Sequence, residues 1–244
     1  MEQESISLNK FIAGTGYCSR READQLIEDG RVLINGKTAR KGNRYEPGDT
    51  VEVDGSYLTE DKGKKKDKKI YLAFNKPVGI TCTTDENIAG NIISYINYPK
   101  RIFPIGRLDK ESEGLIFLTN DGDIVNKILR AGNHHEKEYI VRVDKAITPH
   151  FTERMSKGVP VDGTMTLPCR VVKLGTHVFK IVLTQGLNRQ IRKMCAHFGY
   201  SVDSLKRVRI MDVSLDKLAV GKWRHLSDAE MARIFQLVSA SSKT

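Results

Sequence analysis

At 244 residues the chain can hold one large domain or two unequal ones. Its 39% hydrophobic and 29% charged content is that of an ordinary globular protein, and no apolar run of about 18 residues is present to span a membrane. A net charge of +10 favours a polyanionic partner. Met1-Glu2-Gln3-Glu4-Ser5 is acidic and polar, unlike a signal peptide, and Cys18, Cys82, Cys169 and Cys195 lie far apart without a C-x-x-C pair. Both features point to a cytoplasmic protein without disulfides or structural zinc. The charge is uneven. Residues 1–55 carry a net of −2, residues 56–69 a net of +3 and residues 70–244 a net of +9, so the larger C-terminal part supplies most of the attraction for an anion.

Residues 6–54 form a small module. Leu8, Phe11 and Ile12 recur at helical spacing, and Gly14 and Gly16 end that helix. Ser19-Arg20-Arg21-Glu22 is a capping-box pattern opening a second helix, with Gly30 as its stop. Val32-Leu33-Ile34 leads into Asn35-Gly36, a strong hairpin signal, and Pro47-Gly48-Asp49 turns the chain into Val51-Glu52-Val53. Arg20 and Arg21 stand in a first helical turn, where the macrodipole disfavours cations but a phosphate would suit both helix and arginines. Solvated surface arginines are the plainer alternative.

Residues 56–69, rich in lysine and poor in core formers, make a solvated linker by composition. Beyond it strands and helices mix. Strands are expected at Ile70–Phe74, Ile102–Ile105, Leu115–Thr119, Tyr139–Val143, Val171-Val172, Val178–Leu183 and Arg207–Val213. Helices are expected at Asn91–Asn97, from Asp121 through Arg130, after Thr148-Pro149, for about ten residues after Asn188, and from the capping box Ser227–Glu230 through Val238, followed by a frayed tail from Ser239. Adjacent hairpins with scattered helices indicate an α+β domain around a mostly antiparallel mixed sheet.

Two stretches carry candidate chemistry. Between the apolar runs Ile102–Ile105 and Leu115–Leu118 lies a polar turn with Arg107 and Asp109 two residues apart, held by core strands yet reachable. A charged surface hairpin is an equal alternative from this stretch alone. In the helix after Asn188, Ile191, Met194, Cys195 and Phe198 make a core stripe, while Arg189, Arg192 and Lys193 share the other face. An arginine there could neutralise a partly buried Asp109 and keep it a nucleophile. His134-His135-Glu136 is a loop rather than a metal site, and no Walker A, G-x-G-x-x-G or H-E-x-x-H pattern is present.

Residues 6–54 resemble an S4 RNA-binding domain of the αL type. That resemblance implies RNA contacts from Asn9, Lys10, Ser19, Arg20, Arg21 and Lys37, acting as a local patch on a module whose net charge is −2. Asn75-Lys76-Pro77-Val78-Gly79, Gly106-Arg107-Leu108-Asp109 with Gly114-Leu115, Lys137-Glu138-Tyr139 and Asn188–Met194, in this order behind that module, resemble the RsuA-type pseudouridine synthases. The wording of KILRAGNHHEKEY and QGLNRQIRKMCAHFGY is closest to the RluF branch of that family. The resemblance implies the pseudouridine-synthase fold and three segments: 1–55 as the S4 domain, 56–69 as the linker and 70–244 as the catalytic domain. It implies a cytoplasmic monomer without cofactor or metal, acting on a uridine of large-subunit (23S) ribosomal RNA near the peptidyl-transferase region, with tyrosine tRNA as a second partner. Asp109 would be the nucleophile, attacking C1′ of the ribose or C6 of the base. Arg107 would fill the space left by the flipped nucleotide. Tyr139 would stack on the uracil and assist proton transfer at C5, Arg192 would pair with Asp109, and Ile191 would wall the pocket. Lys110, Arg189 and Gln190 would meet the backbone or flanking bases. Ser112 stands where many relatives carry threonine, and the chain ends at Thr244 without the long basic tail of some members. The rival functions are a non-catalytic RNA-binding assembly factor and a metal-dependent RNA-processing enzyme.

Overall fold

The computed structural model describes residues 5–58, 68–85, 87–129 and 134–239. The chain divides into two units, Met1–Lys68 and Lys69–Thr244. In the first, the elements are β1 (Ile6–Ser7), α1 (Leu8–Gly14), α2 (Arg20–Glu28), β2 (Val32–Ile34), β3 (Lys37–Thr38), β4 (Arg44–Tyr45), β5 (Val51–Val53) and β6 (Ser56–Leu58). The capping box forms as the sequence dictates: Ser19 Oγ accepts the Glu22 N–H at 3.1 Å and the Glu22 carboxylate accepts the Ser19 N–H at 2.5 Å. Asn35 and Gly36 adopt φ of 51° and 73°, as a two-residue hairpin between β2 and β3 requires. Leu8, Phe11, Ile12, Ala23, Ile27, Val32, Val51 and Val53 close the core, and the Phe11 and Tyr45 rings stack on each other. One boundary differs from expectation. Ser56–Leu58 pairs with β5, so the head of the expected linker belongs to this sheet, because Tyr57 and Leu58 complete a hairpin after Asp54-Gly55. Residues 59–67 lie outside the described residues.

The second unit contains β7 (Tyr71–Lys76), α3 (Ile92–Ile96), β8 (Phe103–Ile105), β9 (Glu113–Thr119), α4 (Gly122–Leu129), β10 (Lys137–Val143), α5 (Pro149–Ser156), β11 (Pro160–Val161), β12 (Thr164–Met165), β13 (Arg170–Lys173), β14 (Val178–Leu183), α6 (Gln190–His197), β15 (Val202–Ile210), β16 (Val213–Ser214), β17 (Trp223–His225) and α7 (Asp228–Ser239). The main sheet runs β13-β14-β10-β15-β9-β7-β17, with β16 on β15 and β8 on β9. Every described pairing in it is antiparallel except β15 with β9. The fold is therefore α+β around a largely antiparallel mixed sheet.

The run Leu115-Ile116-Phe117-Leu118 is continuous because both faces of β9 are covered. Ile116 and Leu118 enter one core with α3, α5 and α6, while Leu115 and Phe117 enter another with α4 and α7. Strand β10 buries one face only, through Tyr139, Val141 and Val143. Helix caps at Thr148 and Ser227 form as expected, Asn91 also caps the helix expected there, and Arg130 and the tail from residue 240 lie outside the described residues. Ser239, expected in the frayed tail, is the last residue of α7. Strand β15 differs from the expected Arg207–Val213. It starts at Val202, where polar side chains on the open face mask the strand pattern, and it ends at Ile210 before Met211 at φ 52°.

One cross-strand row decides where a site can lie. Ile181, Tyr139, Arg207, Gly114 and Lys76 stand opposite one another across β14, β10, β15, β9 and β7. A register shift falls between Glu138 and Tyr139, the kind of local kink that re-aims side chains beside a site. Gly114 is required in this row. Its φ is +116°, and a Cβ there would lie 2.2 Å from the Arg207 carbonyl oxygen. Gly114→Ala should lower the unfolding free energy by more than about 3 kcal/mol, measured by urea denaturation. A shift below about 1 kcal/mol would show that the close approach is not needed.

Candidate active site

The turn between β8 and β9 begins at Gly106, with φ +79°, and then alternates: Arg107 is exposed, Leu108 buried, Asp109 half-buried and Lys110 exposed. Leu108 is the peg. Its side chain joins the core beside Phe74 and Ile116, and its N–H points at Cys82 Sγ, 3.4 Å away. The Ser112 N–H closes the turn on the Asp109 carbonyl at 3.0 Å.

Three cations hold this turn through its backbone. Lys76, wholly buried, donates to the carbonyls of Pro77 at 2.8 Å and Ile80 at 2.9 Å, and reaches the Lys110 carbonyl at 3.5 Å. The Gly79 N–H also meets the Lys110 carbonyl, at 2.7 Å. Burial pushes the Lys76 ammonium below its usual range, against the pull of Cys82, Asp109 and Glu111. Arg207, only 4% exposed, donates Nε to the Leu115 carbonyl at 2.6 Å and Nη1 to that of Arg107 at 3.4 Å. Arg192 donates to the carbonyls of Val202 at 3.1 Å and Glu111 at 3.2 Å, and weakly to Ser112 Oγ at 3.4 Å. Arg189 adds a surface ion pair with Glu111 at 2.8 Å.

A cleft of about 620 Å³ opens beside the turn. Of the residues singled out from the sequence, Arg107, Asp109, Tyr139, Arg189, Gln190, Ile191 and Arg192 all line it. Lys110 does not; its part in the turn is its carbonyl. Leu183, Leu187 and Leu205 supply apolar wall, and Lys137 and Arg207 line the cleft without having been singled out. Asp109 is the one carboxylate among the lining residues, and it has no hydrogen-bond or ion-pair partner among the described residues. The expected Arg192–Asp109 pair is corrected here. The helix carrying Arg192 starts at Gln190, one residue later than expected, with Arg189 rather than Asn188 at its N-cap in left-handed conformation, and Arg192 is drawn to the backbone behind Asp109. Gln190 is almost fully buried, and its amide serves its own loop: Oε1 accepts the Leu187 N–H at 3.0 Å and Nε2 donates to Gln185 at 3.3 Å.

Tyr139 is 8% exposed, and Arg207 Cζ lies 5.9 Å from its ring centroid. Lys137, two residues along the same face, carries no ion pair or side-chain hydrogen bond among the described residues. Burial, then the nearby Arg207, push its ammonium from the ordinary 10.5 down to about 8. His135 is a core histidine, with Nε2 3.1 Å from the Lys127 carbonyl.

On the first unit, Arg20, Arg21 and Lys37 are exposed and carry no ion pair among the described residues, whereas Arg31 and Lys41 are engaged by Asp54 and Glu28. Asn9 and Ser19 have structural duties as well: the Asn9 amide donates to Asp24 at 2.9 Å and Ser19 is the N-cap of α2. Lys10 lies half-buried on α1. Arg20, Arg21 and Lys37 are thus exposed cations without an ion pair, among the described residues, on a module whose net charge over residues 1–55 is −2.

A family profile described as RNA pseudouridylate synthase matches residues 70–197, and one described as S4 domain matches residues 7–51. The chain belongs to the RNA pseudouridylate synthase family. It is an isomerase that converts uridine in RNA to pseudouridine, and RNA is its substrate. The synthase is 53% identical over 242 residues to the dual-specificity RNA pseudouridine synthase RluF of Escherichia coli (strain K12), covering 99% of this chain and 82% of that one. It is 31% identical to the ribosomal large subunit pseudouridine synthase B of Bacillus subtilis (strain 168), over 93% and 94% of the two chains. A pseudouridylate synthase crystal structure superposes with a TM-score of 0.69 at 28% identity, covering 94% of this chain and all of the other. Among the described residues of the synthase, no helix is long and apolar enough to cross a membrane.

The depressed Lys137 ammonium has a measurable consequence. Between about pH 8 and 10.5 the unfolded chain holds a proton at this residue that the folded chain has released, so this group's contribution to stability rises with pH. Lys137→Met should therefore be more stable than the parent at pH 7, by roughly 2 kcal/mol, and the difference should shrink towards pH 10. Paired urea titrations check this; a difference that stays constant with pH would contradict it.

Proposed function

We propose that this synthase modifies a uridine of large-subunit (23S) ribosomal RNA and, as a second substrate, one in tyrosine tRNA, acting as a cytoplasmic monomer. The relatives support this through their names, one a dual-specificity RNA enzyme and one a ribosomal large subunit enzyme. The division of labour expected from the sequence, with an S4 domain over 1–55, a linker over 56–69 and a catalytic domain over 70–244, goes with this reading, with Ser56–Leu58 reassigned to the first unit.

Asp109 is the nucleophile in this reading, and the observation that carries it is its solitude. Among the described residues it is the one carboxylate lining a cleft otherwise rich in cations, and no arginine or lysine side chain pairs with it. A carboxylate there repels RNA phosphate, so a protein that only bound RNA would gain nothing from it. In the reaction the C1′–N1 bond breaks while the sugar or the base is held on Asp109. The uracil turns, C1′ bonds to C5, C5 loses its proton and N1 gains one. Atoms and electrons balance without a cofactor. Tyr139, fixed between β14 and β15, stacks on the uracil and assists the C5 proton transfer, and Ile191 walls the pocket. Arg107, the exposed member of the turn, enters the space left by the flipped nucleotide. Lys110 and Arg189, both exposed, meet the backbone or flanking bases, as does Gln190, whose amide also serves its own loop. On the S4 unit, Arg20, Arg21 and Lys37, with Lys10, meet phosphates, and Asn9 and Ser19 shape the surface that presents them.

Asp109→Asn keeps size and shape but removes the nucleophile. It should lower pseudouridine formation in a 23S ribosomal RNA transcript by on the order of 10⁴ or more while RNA affinity is retained. Turnover at the parental rate would remove Asp109 from the chemistry.

A further inference from the structure

The cleft has more positive charge than an isomerisation of uracil requires. Among the described residues, Arg107, Lys137, Arg189, Arg192 and Arg207 line it against Asp109 alone. Arg189 is balanced by Glu111, and Arg192 is engaged by backbone carbonyls. Arg107 is exposed on the turn, and Arg192 also keeps a buried Nε without a partner; the two cations beside Tyr139, Arg207 and Lys137, have no answering carboxylate among the described residues. Arg207 is 4% exposed, yet its Nη2 has no hydrogen-bond partner among the described residues. The Tyr139 ring lies 5.9 Å from its Cζ, near the far limit of a cation–π contact. Lys137, on the neighbouring strand, has neither an ion pair nor a side-chain hydrogen bond among the described residues.

A buried cation with an idle donor is strongly unfavourable unless something anionic meets it. A uracil ring is neutral and cannot supply that charge; an RNA phosphodiester can. Position selects which phosphate. Arg207 stands directly opposite Tyr139, and Lys137 lies two residues along the same face, so the two cations flank the ring proposed to stack on the uracil. A phosphate one sugar away from a stacked base falls beside that ring. The planar guanidinium and the compact ammonium are the two side chains best suited to bind it.

We propose that Lys137 and Arg207 form a seat for a backbone phosphate of the target nucleotide, separate from the nucleophile and from the stacking position of the same cleft. The seat rests on the reading of Asp109 and Tyr139 given above. It makes Lys137 a substrate-binding residue and gives Arg207 two duties, one edge of its guanidinium holding the turn and the other receiving the phosphate.

A chemical double-mutant cycle tests the seat. RNA segments carrying the modified uridine are prepared with a neutral methylphosphonate at its 5′ or its 3′ linkage, and their dissociation constants are measured with the parent protein, Lys137→Met and Lys137→Arg. The parent should lose about tenfold in affinity for one of the two neutral linkages, and Lys137→Met should lose about tenfold for native RNA. The two losses should not multiply: with Lys137→Met the neutral linkage should weaken binding no further. Lys137→Arg, which keeps the charge, should restore the parental response. Losses that multiply fully at both linkages would overturn the seat. Loss of turnover of the native segment in Asp109→Asn and in Tyr139→Leu reports on the reading of those two residues separately, so a failed cycle with both losses seen counts against the phosphate seat alone.

Discussion

The parallel pairing of Arg207 with Gly114 brings a backbone carbonyl to a point 2.2 Å from where a side chain at residue 114 would begin. That approach joins the two halves of the large sheet, β13-β14-β10-β15 on one side and β9-β7-β17 on the other. It also brings the Arg207 guanidinium within reach of the Leu115 and Arg107 carbonyls, at the two shoulders of the Asp109 turn. Tyr139 and Lys76 fall into the same cross-strand row. The proposed nucleophile, its stacking partner and two of the cations that position them are thus set by one register.

The cations at this turn are used in an uncommon way. Lys76, Arg192 and Arg207 are met chiefly by carbonyl oxygens. Carbonyl dipoles satisfy N–H donors without cancelling charge, so the turn is rigidly held and the field around it stays positive. A carboxylate partner for these groups would have been simpler for stability, but it would have neutralised the region that must admit RNA. Direct pairing with Asp109 would have occupied the group proposed to attack. The arrangement leaves one carboxylate of the described cleft residues unpaired among cations, which suits the nucleophilic role proposed for it.

Local chemistry was legible in the sequence, and partnership between distant strands was not. Ser19-x-x-Glu22, Ser227-x-x-Glu230, Asn35-Gly36 and Thr148-Pro149 each specify a cap or turn within a few residues, and each forms. The Arg107–Asp109 turn was visible because two apolar runs bracket it, and Tyr139 because its strand alternates. Arg207 carried no signal: it lies in a stretch with alternating polar residues, and its importance comes from neighbours 92 and 100 positions away. Lys76 looked like part of a loop-forming Asn-Lys-Pro stop, although it is the last residue of β7 and wholly buried. Arg192 was placed on the correct helix face but given the wrong acceptor, since helical periodicity fixes direction and says nothing of which atom waits there. Gln190 seemed free for RNA because its loop contacts are invisible without the fold.

The central claim is that buried cations position the Asp109 turn through its backbone. Lys76→Met tests it most directly, because Lys76 holds the turn without lining the cleft. Single-turnover kinetics on a 23S ribosomal RNA transcript, under conditions where circular dichroism shows the variant folded, should give a rate about 100-fold lower with RNA affinity within about twofold of the parent. A folded Lys76→Met protein that turns over at the parental rate would contradict the account.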